Sequence, residues 1–139
     1  MNGKLTRATE VERVSEFLGL PEDIHDSESL IAKVAEGLPT RSVESILGVM
    51  NSRPLIDIIP ERAFRRAKSE KIPLSPGRSR VLYDFARAYV VADKVHSGNG
   101  ALVMRFLEKP NADLGGAVPM SLAISSPAGA DAVIELLNR

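Results

Sequence analysis

The sequence predicts an all-α fold, and three observations carry that prediction. Apolar residues recur at intervals of three and four in nearly every segment, the spacing that lines one face of a helix. No apolar–polar alternation runs for five residues or more, so no segment reads as a half-buried strand. One segment carries a seven-residue apolar stripe, namely Val81, Leu82, Phe85, Ala88, Tyr89, Ala92 and Val95.

The elements follow in order. Thr9 caps a first helix with Val11, Val14, Phe17 and Leu18 on one face, and Gly19 and Pro21 end it. Ser27 is expected to cap the second, where Leu30, Ile31 and Val34 fall one turn apart before Gly37-Leu38-Pro39. Thr40 opens a third helix with Val43, Ile46, Leu47 and Met50 inward. A short segment, Pro54 to Ile58, begins with a proline suited to a first helical turn, and Pro60 starts a further helix through Ser69. Ser75-Pro76 pairs a cap with a proline at the first helical position and opens the long striped helix, about 76–96, which Ser97-Gly98-Asn99-Gly100 stops. This helix is expected to be the central strut, with Val81, Phe85 and Tyr89 buried. Shorter helices are expected around Leu102–Leu107 and Met120–Ile124, separated by a stretch too rich in Pro and Gly to be regular. Ala128 to Leu137 reads as a last helix with Val133, Leu136 and Leu137 on its apolar face.

Composition narrows the function. The 139 residues suit one domain or two small lobes sharing a core, and they include no cysteine. Disulfides, thiolate metal sites and thiol nucleophiles are therefore excluded, which fits a reducing cytoplasm. The first residues lack the apolar run of a signal peptide, and no stretch approaches the ~20 apolar residues that span a bilayer, so a cytoplasmic location without membrane contact is expected. Net charge is zero but unevenly spread. Residues 1–59 carry six Lys/Arg against ten Asp/Glu, residues 60–80 carry seven against two, and residues 81–139 carry five against six. The middle island, net +5, is a candidate footprint for a polyanion; a solvated helix face is the competing reading.

Motifs for catalysis are missing. His25 and His96 lie at element ends without a second histidine or a carboxylate at ligand spacing, and His96 reads as a surface complement to a helix C-terminus. No nucleophile elbow, Walker sequence, zinc-protease motif or dinucleotide fingerprint occurs, and Gly98-Asn99-Gly100 follows a helix where a phosphate loop would follow a strand. The expectation is a binding protein, not an enzyme, with no cofactor and no metal of its own.

The basic helix offers the clearest binding surface. Ala63, Phe64 and Ala67 can pack inward, which leaves Arg62, Arg65, Arg66, Lys68 and, just beyond the helix, Lys71 facing solvent. Three short helices with a basic, exposed third member have the layout of a helix-turn-helix, whose recognition helix enters the major groove. Those five residues are the candidate DNA-binding set. The turn at Ile58-Ile59-Pro60 lacks the usual glycine and the middle helix is very short, so a degenerate motif stands as an alternative.

The C-terminal half resembles a known family. Leu74-Ser75-Pro76, Ser79-Arg80-Val81-Leu82, Phe85-Ala86-Arg87 and Ala92 ahead of Val95 look like the long helix of the Xre/MbcA/ParS antitoxins. In that family a Trp-Leu pair follows, then P-N-x-x-L-G-G-x-x-P-x-x-L and a closing apolar helix. Here stand Phe106-Leu107, Pro110, Asn111, Leu114, Gly115, Gly116, Pro119, Leu122, Ser125, Gly129 and Val133 with Leu136-Leu137. Order and spacing agree over 74–139, with Phe106 in place of Trp, and Gly37-Leu38-Pro39 fits the stretch before the family's helix-turn-helix. The weaker agreement lies at 51–60.

The resemblance implies an N-terminal helical extension (1–38), a helix-turn-helix-like region (39–73), and a long helix with a C-terminal helical toxin-binding region (74–139). It implies an antitoxin of a bacterial type II toxin–antitoxin system, whose partner is a RES-domain toxin that consumes NAD. The complex is expected to repress its own operon by binding operator DNA, with the antitoxin as a homodimer inside a toxin–antitoxin hetero-oligomer. NAD then belongs to the partner. Pro110, Asn111, Leu114, Gly115, Gly116 and Pro119 form a structural motif that folds the last helices back on the long one. Leu136, Leu137, Asn138 and Arg139 are the expected toxin contacts, with the Arg139 guanidinium and the terminal carboxylate offered to the toxin's NAD site. Two other readings remain at this point: a stand-alone helix-turn-helix regulator, and an interaction protein with a decayed DNA-binding motif.

Overall fold

A computed structural model of the chain describes residues 9–49 and 58–139. Among them are eight α-helices, one short 3-10 turn and no strand, so the chain is all-α. The helices are α1 (Glu10–Phe17), α2 (Ser27–Glu36), α3 (Thr40–Val49), α4 (Glu61–Glu70), α5 (Pro76–Val95), α6 (Gly100–Glu108), α7 (Pro119–Ser125) and α8 (Pro127–Leu137), with the 3-10 turn at Ala112–Leu114. Met50 and most of the expected Pro54–Ile58 segment lie outside the described residues.

The long helix is the strut. α5 touches α1 and α2 on one side and α6, α7 and α8 on the other. Leu82, Phe85, Ala88, Tyr89 and Ala92 are buried, while Val81 is half-buried and Val95 is exposed. The inward stripe therefore ends one turn before the helix does. Phe17 stacks on Tyr89, ring centroids 4.6 Å apart, and lies 6.3 Å from Phe85, which fastens α1 to the strut. Burial, with Asp93 one turn further on, raises the pKa of the Tyr89 phenol.

Local chemistry sets the helix ends. Thr9 and Glu12 form a reciprocal capping box at the start of α1. Asp26, not Ser27, caps α2, its Oδ1 accepting the Ser29 N–H at 2.7 Å; Ser27 is instead the first helical residue. Ser75 caps α5 with Pro76 behind it. Three side chains of α3 reach the orphan carbonyls at the end of α1: Arg41 Nε donates to Gly19 O (2.9 Å), Ser42 Oγ to Leu18 O (2.6 Å) and Ser45 Oγ to Phe17 O (2.8 Å). These bonds fix α3 against α1.

The segment between α4 and α5 is tied to the end of α2. Leu74 N–H donates to Leu38 O at 2.9 Å, and Leu38 N–H donates to Ser79 Oγ at 2.7 Å. The chains pass so closely that a Cβ on Gly37 would lie 2.4 Å from Leu74 O, and Gly37 itself has φ +113°. Only glycine satisfies both conditions.

Candidate functional site

In the C-terminal region α6, α7 and α8 all pack on α5, and α7 and α8 pack on each other. Asn111 organises the loop that leads into α7. Its Oδ1 accepts the Asp113 N–H at 2.9 Å, its carbonyl accepts from Leu114 and Gly116, and its N–H donates to Ala117 O at 3.0 Å. Gly115 and Gly116 have φ +67° and +87°, with nothing within 4 Å of where a Cβ would stand. Backbone conformation, not crowding, selects glycine there. Leu114 packs against the core and Pro119 is buried at the first turn of α7.

The tightest contact lies between α7 and α8. Ser126 alone separates them, and its Oγ caps α8 by accepting the Gly129 N–H at 2.9 Å. A Cβ on Gly129 would sit 2.1 Å from Leu122 O, so the two helices approach at van der Waals limit through this residue. Val133 and Ala130 are fully buried beneath them. Phe106 is half-buried with its ring 6.2 Å from that of His96. His96 thus packs against an aromatic ring and is not the free surface residue expected from its position.

A charged cluster clamps α8 to the strut. Asp84 is 2% exposed and is held by Arg80 and Arg87 of its own helix. Arg87 reaches on to Asp131 of α8. Burial works against the charge on Arg87, but hydrogen bonds from Asp131 and Asp84 outweigh it and raise its pKa. The Arg80 and Arg87 guanidiniums each lie 5.3 Å from the Tyr83 ring. Sequence reasoning gave this cluster no role; its only trace is the i, i+3 and i, i+4 spacing of Arg80, Asp84 and Arg87.

The expected contact residues at the tip divide. Leu137 is 9% exposed and belongs to the chain's own core, and Leu136 is half-buried. Asn138 and Arg139 are exposed, with Arg139 Nη2 no closer than 4.0 Å to Glu135.

The basic face of α4 is as exposed as expected, with Ala67 buried and Ala63 and Phe64 half-buried on the inner side. Its charges are partly neutralised. Arg65 pairs with Glu61, Arg66 Nε with Glu70 at 2.9 Å, and Lys68 Nζ with Glu44 of α3 at 2.7 Å. Among the described residues, Arg62 and Lys71 make no ion pair. Exposed pairs of this kind hold by about 1 kcal/mol or less, so an incoming phosphate can displace the carboxylates. At the other end of the chain, His25 Nδ1 meets Glu12 Oε2 at 2.5 Å, a carboxylate partner that the linear sequence hid.

Among the described residues no group of His, Cys, Asp and Glu could hold a metal ion, and no helix is long and apolar enough to cross a membrane. No curated protein matches the chain. Residues 91–139, from the last quarter of α5 through α8, match the family model of the antitoxin Xre/MbcA/ParS C-terminal toxin-binding domain, which supports an antitoxin that binds a toxin.

Proposed function

We propose that the chain neutralises a RES-domain, NAD-consuming toxin by binding it through residues 91–139, and that it represses its own operon by binding operator DNA through α3 and α4. The match over 91–139 is the observation that carries the antitoxin reading. The RES identity of the toxin rests on the longer motif resemblance over 74–139. The chain acts by binding and not by catalysis, and NAD belongs to the partner. It works in the cytoplasm as a homodimer within a toxin–antitoxin hetero-oligomer.

The geometry supports a rigid docking surface. The Gly129 contact, the Ser126 cap and the Arg87–Asp131 bridge hold α7 and α8 as one unit on α5 before any partner arrives, so little ordering entropy opposes binding. Co-expression with the product of the adjacent gene tests the reading. The two are expected to copurify, and cellular NAD is expected to hold steady only while both are present. Failure to copurify, or NAD loss that this chain does not prevent, removes the reading.

The ion pairs along α4 favour a second reading of the 39–73 region, an interaction device descended from a helix-turn-helix. Absence of operator binding by the intact complex would select it.

A further inference from the structure

A groove opens where the end of α2, the first turn of α3 and the end of α4 converge. Its polar and charged lining is Lys33, Glu36, Thr40, Arg41, Lys68 and Lys71, and the other half of its wall is apolar or glycine. Four of these six are cations, brought together from three helices, and two of them, Lys33 and Arg41, lie outside the basic island of the sequence. The opposing charges are Glu36 in the groove itself and Glu44, which holds Lys68 Nζ at 2.7 Å. Arg41 is anchored through Nε on Gly19 O at 2.9 Å, which fixes its guanidinium at the rim. Among the described residues Lys33 and Lys71 make no ion pair.

Lys71 adds a second, independent observation. It ends α4 in the left-handed region at φ 55°, ψ 43°, and the Ile72 N–H closes back on Ala67 O at 3.0 Å. Glycine is the ordinary residue at such a helix end, and a lysine there is strained. A cation that merely complements the helix C-terminus can sit anywhere in the last turn, as Lys68 already does, without that strain. A lysine occupies the position where its backbone is least comfortable, which points to use of the ammonium group.

We propose that this groove is a phosphate-binding site and that duplex DNA supplies the phosphate. The site rests on the DNA-binding part of the function proposed above and adds a backbone contact beside the α4 face. A helix-turn-helix sets its first helix across the sugar–phosphate backbone while the second enters the major groove. The first turn of α3, at Thr40 and Arg41, and the four cations meet in one groove beside the α4 face, which is where a backbone flanking a groove-bound α4 would be met. Such a contact is indifferent to base sequence.

The full chain carrying Lys33→Gln and Lys71→Gly tests this against two duplexes of equal length, one from the region preceding its own reading frame and one unrelated. Affinity for both is expected to fall together by roughly tenfold, with the slope of log affinity against log salt shallower by about two. Lys71→Gly alone is expected to hold or raise Tm, because glycine accepts this backbone freely, so weaker binding cannot be assigned to unfolding. Unchanged affinity and slope in the double variant, for duplexes that the wild type binds, overturn the site. A titration with inorganic phosphate separates the site from the wider reading: the Thr40, Arg41 and Lys71 amide signals are expected to shift in the wild type and not in the variant. If the wild type binds neither duplex yet shows those shifts, DNA binding falls and the phosphate site stands. If phosphate moves none of them, the site is overturned whatever the DNA result.

Discussion

Arg87 holds the last helix to the long one through Asp131: Nη1 donates to Asp131 Oδ1 and Nη2 donates to Asp84 Oδ1, both at 2.8 Å. The two acids differ in what they need from it. The Asp131 side chain is 67% exposed and can return to water, whereas the Asp84 side chain is 3% exposed. Arg87 itself is 18% exposed, with Nε buried and without a hydrogen-bond partner, so one side chain compensates a buried carboxylate and joins two helices at once.

This inequality yields the first prediction. Arg87→Ala strands the Asp84 carboxylate with only Arg80 beside it, at an expected cost of about 3 kcal/mol. Asp131→Ala removes only the exposed arm and is expected to cost about 1 kcal/mol or less. Urea unfolding of the two variants checks the ranking; equal costs would show that the bridge to α8, not the buried acid, sets the energy.

Two glycines in the C-terminal region are required for different reasons, and alanine separates them. Gly129→Ala drives a methyl into Leu122 O, forcing α7 and α8 apart, with an expected loss of about 1–3 kcal/mol and weaker toxin binding. Gly116→Ala meets no neighbour and is opposed only by φ +87°, worth about 1 kcal/mol, with toxin binding retained. Thermal unfolding and a pull-down with the toxin read both. A Gly116→Ala variant that loses the toxin would place that loop in the interface.

Glu12 makes the start of α1 sensitive to acid. The Thr9 N–H, and after it the His25 ring, stabilise its charged form and lower its pKa below the ordinary 4.5. A depressed carboxyl contributes stability that is present above its unfolded value and lost as pH falls through the folded one. Glu12→Gln keeps the capping acceptor but not the charge. Its Tm deficit is expected at neutral pH and is expected to vanish as the pH drops below 4.5. A deficit that persists in acid would assign the effect to packing.

The face of α4 gives a prediction in the cell and in vitro. Arg65→Ala with Arg66→Ala removes two cations whose partners, Glu61 and Glu70, then remain as uncompensated negative charge on the face proposed to meet DNA. Operator affinity is expected to fall with a shallower salt dependence, since fewer counterions are released. Neutralisation of the toxin is expected to be unaffected, because 91–139 does not include α4. Unchanged operator affinity moves the contact elsewhere.

Much of the fold was legible because helix periodicity and capping are local. The Ser75-Pro76 start, the buried Phe85 and Tyr89 and the turn glycines follow from chain neighbours within a few residues. What escaped depends on partners distant in sequence. The crowding at Gly37 comes from Leu74, the capping of α1 comes from Arg41, Ser42 and Ser45, and Asp84 looks like a solvent-facing acid until Arg87 is placed over it. Val95 continues the stripe in sequence, but it is 46% exposed while Ala92, one turn earlier, is fully buried, so the packed face of α5 stops short of it. The basic island was legible as composition, its two acids included; that Glu44 of α3 reaches across to Lys68 was not.

The tip of α8 supplies the last prediction. Leu137 is committed to the chain's own core, whereas Asn138, Arg139 and the edge of Leu136 are exposed and open to a partner. The Arg139 guanidinium is paired only loosely, with Glu135 at 4.0 Å, a contact that can be exchanged for a carboxylate on another protein. A toxin that binds NAD must present groups for phosphates and for the ribose, and a guanidinium seated against an acidic catalytic side chain there would block turnover without adding much interface. On that reading Arg139→Glu is expected to leave Tm unchanged and the complex intact, while NAD loss and growth arrest return. Leu137→Ala is expected to act in the opposite order, costing about 2–4 kcal/mol of folding stability by opening a cavity and weakening the complex only as the chain unfolds. Full protection by Arg139→Glu at matched expression would exclude the tip and assign inhibition to the faces of α6–α8 or to steric closure of the toxin.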